Sequence, residues 1–318
     1  MAFALLLDPL FKNHLTGQGH PEQPARYDAV TRALETAHLM ENAIRVVPRP
    51  ALDDELALVH TAPYIRFVRT ELSALAGRPD AVGELSTGDV AFSEQTLDVA
   101  LHAAGGVLSA VDALFRTEAR TSFCAVRPPG HHATPGRGMG FCLFNNVALA
   151  ARHAQRKHGV DRVLIIDWDV HHGNGTQDTF YSDGSVMFFS THQHPWYPGT
   201  GMSGETGEGK GKGRILNSPL PAGSAGGEIL AAFRERLLPA ANAFRPSLVI
   251  VSAGFDSRMG DPLGRFQLTD ADFTSMTEIA IEIAGRHAQG RLLSVLEGGY
   301  SLEGLSAGVT AHVRALHS

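Results

Sequence analysis

The sequence predicts an α/β fold in which a mostly parallel central sheet is covered by helices on both faces. Short apolar runs of strand character alternate with helical stretches along the chain, and this alternation is typical of parallel sheets. The chain has 318 residues, of which 43% are hydrophobic and 19% charged, as is usual for a globular protein with a large core. Because no internal repeat or low-complexity linker interrupts the pattern, we expect one domain over residues 1–318.

Six apolar runs predict strands, because each is short and is bounded by turn-forming residues. Residues 8–23 and the glycine-rich residues 192–213 predict loops, and the second loop is long enough to be functional. The predicted strands cover residues 3–7, 122–126, 163–166, 186–190, 248–251 and 292–296.

Eight segments predict helices from the spacing of their apolar side chains. The first helix is expected to place Arg26, Asp28 and Arg32 on its outer face. In the longest helix, Gly105 and Gly106 are expected to mark close packing and not a break. The predicted helices cover residues 24–38, 53–60, 63–75, 94–115, 146–157, 228–244, 270–289 and 302–316.

Composition argues against several classes of protein. The net charge of -6, with no cluster of lysine and arginine, argues against a nucleic-acid-binding protein. Cys124 and Cys142 are too few for a disulfide framework and lack the spacing of a structural zinc site. We find neither an apolar run long enough to span a membrane nor the basic region of a signal peptide. We therefore expect a cytoplasmic enzyme without nucleic-acid or membrane partners.

Reactive side chains follow four of the predicted strands. They belong to a pair of histidines, an Asp-x-Asp-x-His sequence, a Gly-Phe-Asp sequence and a Glu-Gly-Gly-Tyr sequence. In an open α/β sheet, ligands bind beyond the carboxyl ends of the parallel strands. The sequence therefore predicts one functional site at that edge. The candidate residues are His131, His132, Asp167, Asp169, His171, Asp256 and Tyr300.

Three of these residues predict a metal site. Asp167, Asp169 and His171 occupy alternate positions, which in an extended segment turns their side chains the same way. Asp169 and His171, completed by Asp256 from another strand end, make a three-ligand set of the kind found in catalytic zinc sites. Such an ion polarises a carbonyl and makes a bound water more acidic. Since Asp and His also bind Fe²⁺, the choice between Zn²⁺ and Fe²⁺ stays open.

Six sequence strings resemble those of one protein family, the zinc-dependent histone deacetylase and acetylpolyamine amidohydrolase superfamily, closest to its class II branch. The similarity extends from Gly19 to Tyr300. It implies an arginase-like three-layer α/β/α fold, in agreement with the alternation of strands and helices. The strings are RPPGHHA, GFCLFNNVALA, DWDVHHGNGTQ, PGTG, SAGFDSRMGDPLG and LEGGY.

The resemblance implies catalytic roles for the paired histidines. His132, held by Asn174, would be the general base and then the acid that protonates the leaving amine, while Asp167 would hold His131. Class I members have aspartate at the position of Asn174. Because a neutral amide orients an imidazole without raising its pKa as a carboxylate would, we predict that His132 is neutral at rest near pH 7.

The resemblance also implies bound ions and an oxyanion donor. Asp169, His171 and Asp256 would bind zinc, and Tyr300 would donate a hydrogen bond to the developing oxyanion. Two potassium (K⁺) sites would lie beside the zinc. The first would be formed by Asp167, Asp169, His171, Ser190 and Thr191, and the second by the carbonyls of Phe180, Asp183 and Val186.

Substrate-binding residues follow from the same resemblance. Phe141 and Tyr197 would form the walls of an acyl-lysine tunnel, which Gly140 would line through its backbone. Asp89 would hold the substrate backbone at the rim. Polyamine-preferring members have glutamate at the position of Leu263, so an acyl-lysine or small acylated-amine substrate is favoured.

Three interpretations remain open at this point. One is a zinc amidohydrolase that removes acetyl or another acyl group, with acetylpolyamines as an alternative substrate. A second is an arginase-type ureohydrolase, which would need two metals and further aspartates. A third is a catalytically weak module that binds acetylated lysine, in which we would expect Tyr300 or a metal ligand to be lost. The physiological substrate, the preferred acyl chain and the formation of a homo-oligomer stay open.

Overall fold

The computed structural model describes residues 2–116 and 119–317. Within them, eight strands form one sheet in which every neighbouring pair is parallel, and two short strands form a separate antiparallel hairpin. The strands of the sheet are β1 (Phe3–Leu6), β2 (Ile44–Arg45), β5 (Thr121–Cys124), β6 (Val163–Asp167), β7 (Val186–Gln193), β8 (Ile215–Leu220), β9 (Leu248–Ala253) and β10 (Leu292–Leu296), and those of the hairpin are β3 (Val82–Glu84) and β4 (Ala91–Ser93).

The strand order explains how the reactive sequences meet. It runs β2-β1-β5-β10-β9-β6-β7-β8, so β5, β10, β9 and β6 lie side by side in the sheet. All four are buried along their whole length, which is why they read as continuous apolar runs and not as alternating patterns. Each of the four is followed by one of the reactive sequences. Since the strands are parallel, those sequences emerge at the same edge.

Ten α-helices occur in the described part of the chain. A π-helical turn, Phe233–Leu237, connects two of them. The helices are α1 (Ala25–Thr36), α2 (Asp53–Leu56), α3 (Ala62–Leu72), α4 (Thr96–Phe115), α5 (Asn146–His158), α6 (Asn174–Phe180), α7 (Gly226–Ala232), α8 (Leu238–Phe244), α9 (Asp270–His287) and α10 (Leu302–His317).

The helices form two layers. Helix α4 packs on α5, while α1, α10 and α9 pack on one another, and both groups contact the same central strands. The sheet therefore lies between two helical layers, and the predicted three-layer α/β/α architecture is confirmed. By length and composition α4 could cross a membrane, but most of it is buried inside the fold. A Cβ atom on Gly105 would lie 2.6 Å from the nitrogen of Ala51, so this glycine does mark close packing.

Local backbone chemistry explains where the structure departs from the predicted elements. Strand β8 is not predicted because it contains Pro219, which is tolerated at this sheet edge. Strands β2, β3 and β4 have only two or three residues, too few for a recognisable period. The predicted helix 53–60 stops early, since Thr61 donates its N–H to Pro135 and caps α3. The predicted helix 228–244 contains the π turn just before Pro239, which has no N–H to donate.

Candidate active site

A cavity of about 240 Å³ opens beyond the carboxyl ends of the four central strands. The structure places all five predicted substrate-binding residues in its lining, together with the predicted base, one predicted metal ligand and the tyrosine. Trp196 also lines the cavity and was not among the predicted site residues. The lining consists of Asp89, His132, Gly140, Phe141, His171, Trp196, Tyr197, Leu263 and Tyr300.

The three predicted metal ligands converge beneath this cavity. Asp169 and His171 lie on the loop after β6, and Asp256 lies on the loop after β9. Their donor atoms all lie within 4.8 Å of one another. Nδ1 of His171 is 2.9 Å from Oδ1 of Asp169 and 3.2 Å from Oδ2 of Asp256. The structure thus brings together the ligand set that the sequence indicates.

Backbone groups hold the two carboxylates in place. Gly298 donates its N–H to Oδ2 of Asp169 at 2.9 Å, and Val170 donates its own to Oδ1 of Asp256, also at 2.9 Å. Neither Gly254 nor Gly298 has room for a side chain, because an added Cβ would collide with Asp169 at both positions. The floor of the site therefore depends on backbone atoms that pack directly against the carboxylates.

The electrostatics of this set fit a cation. Burial opposes a charge on His171, but Asp169 and Asp256 outweigh it and raise the pKa of His171 to about 10. Burial, reinforced by the charge of Asp169, raises the pKa of Asp256 to about 7. Oδ2 of Asp256 is buried and has no well-aligned hydrogen-bond donor among the described residues, although Nδ1 of His171 lies 3.2 Å away. Two buried carboxylates and an imidazole, with an acceptor oxygen left over, fit a divalent metal ion.

The first of the paired histidines contacts the predicted carboxylate. Nδ1 of His131 lies 3.0 Å from Oδ2 of Asp167. Burial opposes its charge, but Asp167 and Asp169 raise the pKa of His131 to about 10. The backbone N–H groups of Gly130 and His131 donate to Oε2 of Glu297 at 2.7 and 3.2 Å. Glu297, on the loop after β10, therefore fixes the histidine loop from a neighbouring strand end.

The second histidine has a neutral partner. Nδ1 of His132 lies 2.8 Å from Oδ1 of Asn174. Because an amide oxygen only accepts hydrogen bonds, Nδ1 carries the proton and Nε2 keeps its lone pair. Burial, together with the charges of His131 and His171, holds the pKa of His132 well below its usual range. This direction agrees with the prediction of a neutral His132.

Tyr300 is positioned by a residue whose location was predicted wrongly. Arg26 is fully buried, not on the outer face of α1. It donates to the carbonyls of Gly299 at 2.7 Å and Glu297 at 2.5 Å, and its guanidinium lies 5.2 Å from the ring centre of Tyr300. Loss of hydration and the negative charges near the ligand set raise the pKa of Tyr300 well above 10. Tyr300 therefore keeps its proton and can donate it in a hydrogen bond.

The walls of the cavity are fixed by local backbone geometry. Gly140 has a positive φ of 56°, and an added Cβ would collide with the ring of His132. Its N–H donates to Oδ1 of Asp89 at 2.7 Å, and the N–H of Phe141 donates to the Asp89 carbonyl at 3.1 Å. On the other side, Nε1 of Trp196 donates to the carbonyl of Leu263 at 2.9 Å. The sequence did contain a signal for Trp196: it is an aromatic residue directly before Tyr197, which the resemblance assigns to the wall of the tunnel.

The predicted potassium ligands also lie near one another in the fold. Asp167 of β6 and Ser190 of β7 are opposite each other in the sheet, and Thr191 follows in β7. In the second group, the N–H of Asp183 donates to the carbonyl of Phe180 at 3.0 Å. The Asp183 carboxylate is held by Arg152, Ser185 and the turn that leads into Val186. The carboxylate is thus engaged by protein groups, and the ion-binding role of the Asp183 carbonyl stays a prediction.

Comparison with known proteins agrees with this geometry. The family model of the histone deacetylase domain matches residues 20–316. The chain is 40% identical over 309 residues to histone deacetylase 10, chloroplastic, of Oryza sativa subsp. japonica, covering 94% of this chain and 70% of the relative. It is 40% identical over 308 residues to polyamine deacetylase HDAC10 of Homo sapiens, covering 93% of this chain but only 44% of that protein.

A solved structure is similar over nearly the whole chain. The crystal structure of the HDA15 HD domain superposes with a TM-score of 0.92 at 37% sequence identity, covering 99% of this chain and 89% of that chain. Family model, sequence relatives and fold thus point the same way. The chain belongs to the histone deacetylase family.

Proposed function

We propose that the protein is a zinc-dependent amidohydrolase that removes acetyl or another acyl group from lysine side chains or small acylated amines. The observation that carries the proposal is the convergence of Asp169, His171 and Asp256 beneath a cavity that His132 and Tyr300 line. In the reaction, water adds to the amide carbonyl, the C–N bond breaks, and a carboxylic acid and a free amine are released.

Asp169, His171 and Asp256 would hold the metal, which when bound polarises the substrate carbonyl and makes water a better nucleophile. The donor set suits Zn²⁺ and also accepts Fe²⁺. Potassium at the two groups described above and a location in the cytoplasm belong to the same proposal. Family membership removes the ureohydrolase interpretation. The presence of Tyr300 and of every ligand favours an active enzyme over a binding module.

Proton transfer is assigned to His132. Its Nε2 has a free lone pair because Nδ1 donates to Asn174, so Nε2 can take a proton from the attacking water. The same nitrogen then delivers that proton to the amine as the C–N bond breaks, which returns the imidazole to its neutral form. His131, protonated beside Asp167, adds a positive charge next to the site. This charge lowers the pKa of His132, so His132 is neutral between turnovers.

Tyr300 stabilises the negative charge that develops on the carbonyl oxygen. Its hydroxyl stays protonated, and Arg26 with the Glu297 and Gly299 carbonyls fixes the loop that carries it. A donor placed in advance costs no reorganisation during the reaction, so removing it lowers kcat by roughly 10²- to 10³-fold in comparable sites.

The cavity favours an unbranched aliphatic amine as the acyl acceptor. Phe141 and Tyr197 supply aromatic walls, and Leu263 supplies an apolar side chain where polyamine-preferring members would have a carboxylate. These features suit an acyl-lysine stem. One observation favours an acetylpolyamine as the second candidate: Asp89 is a carboxylate in the lining and could meet a distant ammonium group.

Turnover by the zinc-loaded protein on an acetyl-lysine peptide and on N-acetylputrescine tests the proposal. We expect hydrolysis of the peptide and a loss of about 10²- to 10³-fold in Tyr300→Phe. Tyr181→Phe, outside the cavity lining, is the matched control and should keep full activity. If neither substrate is hydrolysed by folded, metal-loaded protein, the assignment as a hydrolase of these amides is wrong. A preference for N-acetylputrescine would transfer the assignment to the second candidate.

A further inference from the structure

A second group of metal-ligating side chains lies away from the active site, between α4 and α5. Asp112 belongs to α4, while His153 and His158 belong to α5. Nε2 of His153 is 2.9 Å from Oδ1 of Asp112, and Nε2 of His158 is 2.7 Å from the same oxygen. The three donor atoms lie within 4.8 Å of one another. Two imidazole nitrogens and a carboxylate are therefore focused on one point.

The group is shielded but reachable from solvent. The side chains of His153 and Asp112 are 6% and 10% exposed, whereas that of His158 is 16% exposed. The ring of Phe115 stacks on His158 with centres 4.5 Å apart and planes 10° from parallel. This stacking and the contact with Asp112 fix the orientation of the His158 ring at the end of α5.

The charge distribution is suited to exchanging protons for a cation. A carboxylate oxygen only accepts hydrogen bonds, so both Nε2 atoms must carry hydrogen to face Oδ1 of Asp112. When a divalent ion binds, a neutral imidazole has to carry its hydrogen on Nδ1 instead, and a charged imidazole releases its Nε2 proton, so that both Nε2 lone pairs face the ion. Burial opposes ionisation of Asp112, but hydrogen bonds from His153, Lys157 and His158 keep its pKa below the usual range. The carboxylate is therefore available as an anionic ligand.

Lys157 contacts the other oxygen of the Asp112 carboxylate, so its charged amino group competes with a metal cation for this carboxylate. Its Nζ lies 2.7 Å from Oδ2 of Asp112, and its side chain is 52% exposed, so it can move into solvent. Arg49 and Glu55, whose charges act on Asp112 and His153, pair with each other at 2.6 and 2.7 Å. Neither of these two residues is left to oppose or replace a bound ion.

We propose that Asp112, His153 and His158 bind a divalent transition-metal ion, such as Zn²⁺, at a site separate from the proposed catalytic one. Two imidazoles and one carboxylate suit Zn²⁺, Co²⁺ or Ni²⁺ and not Mg²⁺ or Ca²⁺, which prefer oxygen ligands. Tetrahedral ligands at ~2.0–2.1 Å from zinc lie about 3.3 Å apart. The group therefore has to open by roughly half an ångström, with water in the remaining position.

The ion would connect α4 to the carboxyl end of α5. At its other end, α5 begins beside the histidine loop: a Cβ on Gly130 would lie 2.6 Å from the nitrogen of Asn146. The expected effect is thus on the stability of the helical layer, with the catalytic residues unchanged. Zinc-dependent stabilisation is the consequence that the site predicts.

Equilibrium dialysis of the folded protein against Zn²⁺, with the bound metal counted per chain, tests the proposal. We expect one equivalent fewer in His153→Gln and in His158→Gln than in the wild type, with unchanged turnover. His102→Gln is the matched control, since His102 also faces a carboxylate on α4, that of Asp98, which is 61% exposed and belongs to no metal-ligating group in the described part of the chain. Equal zinc content in the wild type and both glutamine variants would disprove the site.

Two further measurements separate this site from the proposed catalytic one. Asp256→Asn should lose a different equivalent, so the double variant with His158→Gln should lose both. Lys157→Gln should bind Zn²⁺ about two- to fivefold more tightly at the second site, because one partly exposed competing charge is removed. Weaker binding in Lys157→Gln would contradict the proposed arrangement, whatever the outcome for Asp256.

Discussion

The hydroxyl of Tyr197 donates a hydrogen bond of 3.2 Å to Oδ1 of Asp89 across the mouth of the cavity. The same oxygen accepts the N–H of Gly140 at 2.7 Å, and Phe141 follows directly. One carboxylate therefore connects the two aromatic walls. The residue that the resemblance assigns to substrate binding also sets the width of the entrance.

Replacing Asp89 should thus weaken substrate binding more than catalysis. In Asp89→Ala both hydrogen bonds to the walls are lost, and we expect KM for an acetyl-lysine peptide to rise about tenfold, the scale of one charge-assisted hydrogen bond. Tyr197→Phe, which removes only one of the two bonds, should give a smaller rise. Steady-state kinetics measure both. Glu84→Gln is the control, because Glu84 is an exposed carboxylate outside this cavity. An unchanged KM in Asp89→Ala would show that the aromatic walls keep their positions without Asp89.

Exchanging Asn174 for aspartate should shift the pH dependence. A carboxylate beside Nδ1 stabilises the protonated imidazole, so Asn174→Asp should raise the pKa of His132. Because the base must be unprotonated, the acidic limb of kcat/KM should move to higher pH by about 1–2 units. In the wild type the lowered pKa of His132 places that limb below pH 6.5. Asn242→Asp, at the exposed end of α8, should leave the profile in place, and an unmoved limb in Asn174→Asp would argue against His132 as the base.

Leu263→Glu should change substrate preference. The side chain lines the cavity, so a carboxylate there can pair with the second ammonium of an acetylated diamine. We expect the ratio of kcat/KM for N-acetylputrescine over the peptide to increase by roughly tenfold or more, the scale of a favourable partly buried charge pair. Leu263→Gln is the matched control, because the glutamine side chain has the shape of glutamate without its charge. Equal ratios in the two variants would mean that this position does not meet a distant charge.

Removing the metal should abolish turnover and lower stability together. An ion that binds only the folded state stabilises it by about 2.7 kcal/mol when its free concentration is 100 times Kd. We therefore expect chelation to lower Tm, and Zn²⁺ or Fe²⁺ to restore both Tm and activity to different extents. His158→Gln is the suitable background, because only the proposed catalytic site remains in it. Full activity in metal-free protein, verified by elemental analysis, would rule out the metal-dependent mechanism.

Glu22 should be among the most costly charged residues to replace. Its carboxylate accepts hydrogen bonds from Arg26 at 3.0 Å and from Arg127 at 2.5 and 2.7 Å, all fully buried. Glu22→Gln leaves two buried guanidinium groups without their counter-charge, so we expect a loss of about 3–5 kcal/mol in the free energy of unfolding. Glu55→Gln, which breaks the more exposed pair with Arg49, should cost less than about 1 kcal/mol. Denaturant unfolding of both variants measures the difference.

The sign of the pH effect on Glu22 follows from its surroundings. Burial raises its pKa, but Arg127 and His14 outweigh burial and hold the pKa well below the usual value of 4.5. A depressed carboxyl pKa stabilises the fold above the ordinary value, and this contribution is lost as the pH falls toward the folded-state pKa. The difference between wild type and Glu22→Gln should therefore be constant near neutral pH and narrow only below about pH 4.5. If the difference in the free energy of unfolding narrowed near pH 7 instead, the lowered pKa of Glu22 would be contradicted.

The position of the site could be predicted because short, continuous apolar runs mark β5, β6, β9 and β10, and each run is followed by its reactive residues. The burial of Arg26 could not be predicted in this way, because a prediction from helical periodicity places arginine on the exposed face of a helix. Its acceptors are the carbonyls of Glu297 and Gly299, more than 270 positions along the chain. Such long-range partners are created by the strand order, which a local pattern does not contain.

Two levels of tolerance to mutation follow from the glycines at the floor of the cavity. Gly254 and Gly298 admit no side chain, so substitutions there should be excluded in any active variant. The mouth, in contrast, is assembled from loops carrying Asp89, Trp196 and Leu263, which are exposed or partly exposed to solvent. Descendants of this gene can therefore acquire new substrates by exchanging mouth residues while the bond-breaking apparatus is inherited intact, and laboratory evolution of new specificity is best directed to the same three loops.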